Sequence, residues 1–167
     1  SWYIKNLNKH KIDILMVGSE YDLLFFSKNK EIIEKNTSCK ICVSSIETVK
    51  ISEDKFLTQE FLKKNQLPHL KTFIPRNIKH AMDITKKLGF PLFLKSRFGT
   101  STRNVYLIKN IAEIKNLFVF VNNPIIQEYA GFYSEGGLDY EYTCSFFTTL
   151  ENKIIGPFIA KRKLLNG

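Results

Sequence analysis

The strongest local constraint in this sequence lies between Phe90 and Val105, Phe-Pro-Leu-Phe-Leu-Lys-Ser-Arg-Phe-Gly-Thr-Ser-Thr-Arg-Asn-Val. An apolar strand ends in a lysine, a short loop of glycine, serine, threonine and arginine follows, and a second β-rich run extends from Val105 to Ile108. Lys95 would be fixed by the strand, while the loop offers backbone N–H groups and small hydroxyls, the ingredients for holding an anion such as a polyphosphate. The same residues also read as an ordinary hairpin whose lysine points to solvent. The remainder of the chain decides between the two.

The N-terminal part has the pattern of a parallel sheet. Trp2 to Leu7 reads as the end of a helix, and Ile12 to Val17 is a short apolar run suited to a parallel strand buried on both faces. Glu20 to Lys35 carries Leu23, Leu24, Phe26, Ile32 and Ile33 at near-helical spacing, with Ser19 available as an N-cap, and Cys39 to Ser45 is another strand candidate. Strand, helix and strand in this order argue for a right-handed βαβ crossover in a parallel sheet, of which only a fragment is present.

The pattern changes near Ser52. Ser52-Glu53-Asp54-Lys55 places a hydroxyl and two acids ahead of Phe56, Leu57, Phe61 and Leu62, so a helix should begin there and stop before Pro68. Leu70 to Ile74 can be a strand. A helix from about Asn77 to Leu88 follows, with Gly89 placed as its C-cap. After Val105–Ile108 come a helical pattern over Ile111–Val121, a turn at Asn122-Asn123-Pro124 and a short strand over Ile125–Tyr129. Asp139 to Leu150 is a strong strand, and Glu151-Asn152-Lys153 turns it into Ile154–Ala160. From Lys71 onward this is an α+β order, so the fold class is α/β followed by α+β. No Gly-x-Gly-x-x-Gly and no Walker-type phosphate loop occurs.

Composition narrows the function classes. The 167 residues have room for one domain or two small units, and 44% hydrophobic residues suffice for a core. No apolar run approaches the roughly 18–20 residues that cross a bilayer, and Ser-Trp-Tyr-Ile-Lys-Asn at the start lacks a signal-peptide plan, so a cytoplasmic location without membrane contact is expected. Three cysteines make no disulfide framework, and Cys39-x-x-Cys42, with no second pair nearby, reads as buried thiols. His10, His69 and His80 sit apart, as surface histidines do, and Phe25-Phe26, Phe118, Phe120 and Phe146-Phe147 read as core aromatics rather than a base-stacking platform. The net charge of +9 invites a basic nucleic-acid-binding domain, but the lysines are scattered through nearly every segment, which argues against nucleic acid. A positive field equally suits a nucleotide or an acidic metabolite. Homo-oligomerisation is compatible with the sequence.

Several short motifs then fall into one order: Asp54-Lys55-Phe56 opening a helix, Leu67-Pro68 before a strand, Leu88-Gly89-Phe90-Pro91 before Leu94-Lys95, Gly99-Thr100-Ser101, Ile126-Gln127-Glu128-Tyr129 and Glu141-Tyr142-Thr143. Together they resemble the ATP-grasp superfamily, and within it the carbamoyl-phosphate synthase large subunit, biotin carboxylase and related ligases. The resemblance implies a partial pre-ATP-grasp α/β domain over residues 1–51, the small subdomain with its leading helix over 52–130, and the first strands of the large subdomain over 131–167. The chain then reads as a piece cut at both ends, inactive by itself.

The same resemblance assigns roles. ATP and Mg²⁺ would be the cofactors, and a small carboxylate or bicarbonate the substrate, activated as an acylphosphate for attack by an amine or ammonia. Lys55 and Lys95 would contact ATP phosphates, and Gly99, Thr100 and Ser101 would form the flap over them. The flap carries one glycine together with Arg97 and Arg103, so charge would replace some backbone contacts. Glu128, Tyr129 and Ala130 lie where adenine is read by main-chain groups, the Glu128 side chain mattering little and Tyr129 serving packing or binding. Glu141 would accept from ribose hydroxyls. Arg162 resembles an arginine near the phosphates or substrate, with a surface basic tail as the alternative. Metal ligands would lie beyond Gly167. A non-catalytic nucleotide-binding module is the second reading of these residues.

Overall fold

The computed structural model describes residues 1–99, 104–130, 141–149 and 151–162. Helix α1 spans Trp2–Lys9 and is capped by the Ser1 side chain. Strands β1 (Ile14–Met16) and β2 (Lys40–Cys42) pair in parallel on either side in sequence of α2, Glu20–Lys35. Leu7, Phe26, Ile33, Cys39 and Ile41 form the core that joins the two helices to this sheet. Ser19 occupies the N-cap position of α2 without a side-chain hydrogen bond, and Glu20 and Asp22 supply the acids that suit the helix start.

Two expectations for this part need correction. The helices cover one face of β1 only, so Ile14 and Met16 remain 60% and 80% exposed rather than buried on both sides. Cys39 is buried but Cys42 is exposed, because residues three apart on a strand point to opposite faces. The two thiols therefore cannot ligate one ion together.

Helix α3, Ile46–Glu53, is an element that the local sequence pattern does not announce. Ile46, Thr48, Val49 and Ile51 are β-branched and weigh against a helix, yet Ser45 caps its start and Val49 is buried. Ser52 and Glu53 thus finish α3, and Asp54 alone caps α4, Lys55–Lys64.

The second sheet has the order β3-β6-β4-β5, with every neighbouring pair antiparallel: β3 is Thr72–Phe73, β4 Leu92–Ser96, β5 Val105–Ile108 and β6 Pro124–Glu128. Helix α5 (Ile78–Leu88), capped by Asn77, and helix α6 (Ile111–Leu117), continued by a 3₁₀ turn over Phe118–Phe120, lie on one face. There Ala81, Ile84 and Ile114 meet Leu92, Leu94, Ile108 and Ile126 in the main core. Strand alternation sends Phe93 and Lys95 to the opposite face, so the core packing of β4 fixes where its lysine stands.

Strands β7 (Glu141–Thr148) and β8 (Ile154–Arg162) form an antiparallel hairpin with a bulge between Ser145 and Phe147. Its aromatics are not core residues: Phe146 and Phe147 are 61% and 55% exposed, and Phe25 and Phe120 are exposed as well. Among the described residues no second layer covers Phe146 and Phe147 on this two-stranded ribbon. Among the described residues, no helix is long and apolar enough to cross a membrane.

Candidate functional site

Four short segments converge at the end of β4. The Arg97 backbone carbonyl accepts from Lys55 N–H at 3.1 Å, and the Arg97 N–H donates to Asn123 O at 2.9 Å. Ser96 N–H donates to Asn104 O, and Ser96 Oγ to Asn122 O. The first turn of α4, the last residues of β4, the start of β5 and the turn before β6 are thereby tied together, mostly by main-chain bonds.

Lys55 and Lys95 enter this junction from different elements. Lys55 is the first residue of α4, and its Nζ donates to Gly99 O at 2.6 Å. Lys95 projects from β4 and donates from Nζ to Gln127 Oε1 at 2.7 Å. Gln127, 3% exposed, passes the contact on from Nε2 to Thr72 Oγ1 at 2.7 Å, and Thr72 donates to Leu70 O. The register that sets Gln127 beside Phe93 and Thr72 puts all these groups on one face of the sheet.

Both ammonium groups are thus held by neutral amide oxygens, and among the described side chains neither forms a salt bridge. Burial lowers the Lys95 pKa, and the nearby charge of Lys55 lowers it further. Burial also lowers that of Lys55, with Asp54 acting in the opposite sense. Two partly desolvated cations that repel one another and, among the described residues, form no salt bridge favour an incoming anion.

Asp54 and Arg97 form the other polar pair. Arg97 donates from Nε to Asp54 Oδ1 at 2.8 Å and from Nη2 to Oδ2, in a forked arrangement. The Asp54 Oδ1 also accepts the N–H groups of Phe56 and Leu57, so one carboxylate caps α4 and holds the arginine. Burial opposes its charge, but Arg97 and the two N–H donors outweigh that, and its pKa is lowered. The guanidinium lies against the rings of Phe56 and Phe98, at 5.5 and 5.1 Å from the centroids. Arg97 is therefore paired with Asp54.

The other candidate positions are distributed as follows. Thr100, Ser101 and Arg103 lie outside the described residues. Glu128 braces the sheet, since its Oε1 accepts from Lys71 N–H at 2.8 Å and its N–H donates to Lys71 O, which pins β3 to β6. Its side chain thus serves the sheet. Tyr129 packs its ring on Phe93 at 5.6 Å, beside Lys95, and Ala130 is exposed. Glu141 and Arg162 stand opposite each other in the β7–β8 ladder.

Sequence reasoning missed Thr72 and did not separate Gln127 from the strand around it. A glutamine in an apolar run, Ile125-Ile126-Gln127, was the available signal, since a buried amide needs polar partners. Two surface clefts of about 540 and 400 Å³ lie elsewhere, one beside Asn77 and Val119 and one between α4 and β3, and neither is lined by Lys55 or Lys95. Convergent chemistry, rather than enclosure, marks the lysine site. Among the described residues, no cluster of carboxylates, histidines or cysteines is arranged to hold a metal ion.

The architecture defines a class, the ATP-grasp fold. The chain aligns over 98% of its length with 40% of an N5-carboxyaminoimidazole synthetase chain from Staphylococcus aureus complexed with ADP, at a TM-score of 0.71 and 17% identity. Residues 52–137 match the RimK-like ATP-grasp domain, and the chain belongs to that family. It is 34% identical over 95 residues to a coenzyme γ-F420-2:α-L-glutamate ligase from Methanococcus maripaludis, 54% of this chain and 33% of the relative. It is 24% identical over 78 residues to the arginine-specific carbamoyl phosphate synthase large chain of Neurospora crassa, 47% of this chain and 7% of that one. The chain thus spans a third or less of these relatives' length.

Proposed function

We propose that this chain supplies the nucleotide-binding part of a ligase that activates a carboxylate with ATP. The observation that carries the reading is the pair Lys55 and Lys95, each held by a neutral oxygen, Lys55 by Gly99 O and Lys95 by Gln127 Oε1. Triphosphate oxygens would replace those neutral acceptors and offset the mutual repulsion of the lysines. The two ammonium groups would hold the β- and γ-phosphates and stabilise the charge that develops during phosphoryl transfer. A carboxylate oxygen would attack the γ-phosphorus as the bond to the β-bridging oxygen breaks, giving an acylphosphate and ADP. An amine nitrogen would then add to the acyl carbon, phosphate would leave, and the nitrogen would lose a proton.

Within this reading, residues 1–51, 52–130 and 131–167 would be the pre-ATP-grasp unit, the small subdomain and the first strands of the large subdomain. Glu128 O and Ala130 N–H would face adenine, Glu141 the ribose, and Arg162 the phosphates or substrate. Mg²⁺ would add charge neutralisation at the phosphates, held by residues other than those described, in a cytoplasmic enzyme. The finer form, with bicarbonate and ammonia as substrates, is favoured by the similarity to the carbamoyl phosphate synthase chain. The higher identity to a glutamate ligase favours a carboxylate and an amino acid instead.

Isothermal titration of the full-length protein with MgATP tests the proposal. Saturable binding that Lys95→Ala weakens by about tenfold or more is expected for loss of a charge-assisted phosphate contact. Absence of MgATP binding, or an unchanged affinity in Lys95→Ala, would overturn it.

A further inference from the structure

The ion pair of Asp54 and Arg97 connects residues 43 apart in sequence and joins the segment that carries Lys55 to the segment that carries Lys95. Asp54 directly precedes Lys55, and Arg97 lies between Lys95 and Gly99. Each partner is constrained further by its own neighbours. Asp54, 3% exposed, caps α4 through two N–H groups. Arg97 is held through its main chain by Lys55 and Asn123, and through its guanidinium by Phe56 and Phe98.

We infer that the Asp54–Arg97 pair is the positioning element of the phosphate site, setting the spacing of Lys55 and Lys95 and the position of the Gly99 carbonyl that Lys55 contacts. This inference rests on the nucleotide reading above. It assigns neither residue a contact with nucleotide: the Asp54 carboxylate is taken up by Arg97 and the α4 N–H groups, and Arg97 Nε and Nη2 by Asp54. A helix carrying one cation and a strand carrying another have no other side-chain ion pair between them among the described residues. Small displacements of a cation from a phosphate cost large factors in affinity or rate, so a rigid brace at this point has a direct consequence for binding.

The two partners can be weakened separately. Replacing Asp54 by Asn retains an N-cap acceptor and removes the charge that fixes Arg97. Replacing Arg97 by Lys retains a cation opposite Asp54 and removes the fork and the planar stacking. Neither change touches the neutral contacts of Lys55 and Lys95.

The test uses the full-length protein and compares affinity for MgATP with affinity for adenosine, which has no phosphates. Asp54→Asn and Arg97→Lys are each expected to weaken MgATP by about tenfold and to leave adenosine within about twofold, as displacement of phosphate ligands alone predicts. A common factor of loss for both ligands, or no loss for MgATP, would overturn the positioning role. If Asp54→Asn does not fold, Arg97→Lys carries the same comparison. Lys95→Ala, measured in parallel, separates the two levels. A loss of MgATP affinity there, with none in the brace variants, removes the brace and leaves the nucleotide reading standing. Unchanged affinity in Lys95→Ala removes the nucleotide reading and the brace's role in it.

Discussion

Lys95 donates to Gln127 across adjacent strands at 2.7 Å, and Gln127 is in turn a donor to Thr72 on the next strand. The lysine is therefore oriented by a buried amide that is itself oriented by a hydroxyl. Gln127→Leu removes both contacts and leaves Lys95 and Thr72 without these partners. A loss of about 1–3 kcal/mol in urea unfolding is expected, together with weaker MgATP binding. Unchanged stability would show that Gln127 does not anchor this face.

Arg97→Leu should be among the more damaging single changes near the site. It leaves the Asp54 carboxylate buried without its cation, and a loss of about 3 kcal/mol at neutral pH is expected. The Asp54 pKa is lowered in the folded protein, so the native pair contributes stability that is fully present above the unfolded carboxylate range and is lost as pH falls through the folded value. The gap between parent and Arg97→Leu should narrow on acidification below the ordinary carboxylate value of 3.8, as measured by chemical denaturation at several pH values. A gap independent of pH would contradict the assignment.

Nucleotide binding should fail at high pH earlier than an ordinary lysine would predict. The Lys95 pKa lies below its usual 10.5 because of burial and of Lys55. In the free protein its charged form costs stability below that folded value, and the cost is relieved as pH rises through it. Loss of the charge also removes the attraction for phosphate, so MgATP affinity should fall as pH rises through a midpoint below 10.5. Lys95→Arg, which stays charged, should flatten the profile; a fall of equal size at the same midpoint in that variant would sink the explanation.

Gly89 closes α5 with φ +78° and ψ −178°, a combination open essentially to glycine. An added methyl meets nothing within 4 Å, so the cost of Gly89→Ala is conformational rather than steric. A loss of about 1–3 kcal/mol is expected by thermal or urea unfolding. No loss would show that the turn relaxes without effort.

Much of the fold was legible because it rests on local rules. The bounds of α2 follow from helical periodicity, the end of α5 from Gly89, and the strand β5 from its β-rich run, and the structure keeps all three. Helix α3 was not legible, since β-branched residues concealed it until its burial against neighbours was known. The exposed faces of β1 and of the β7–β8 hairpin were not legible either, because an apolar run records that a residue suits burial and not whether a covering layer is present.

At the candidate site the division is similar. Sequence by itself determined that Lys95 ends an apolar strand, that Lys55 opens a helix behind an acidic cap, and that the order of motifs resembles ATP-grasp proteins. Only the tertiary structure decided that Arg97 belongs to Asp54, that Gln127 rather than a carboxylate holds Lys95, and that Glu128 secures the edge of the sheet. Those partners lie between 32 and 57 residues apart. Hydrogen bonds at such separations are set by strand register and helix placement, which no local pattern encodes.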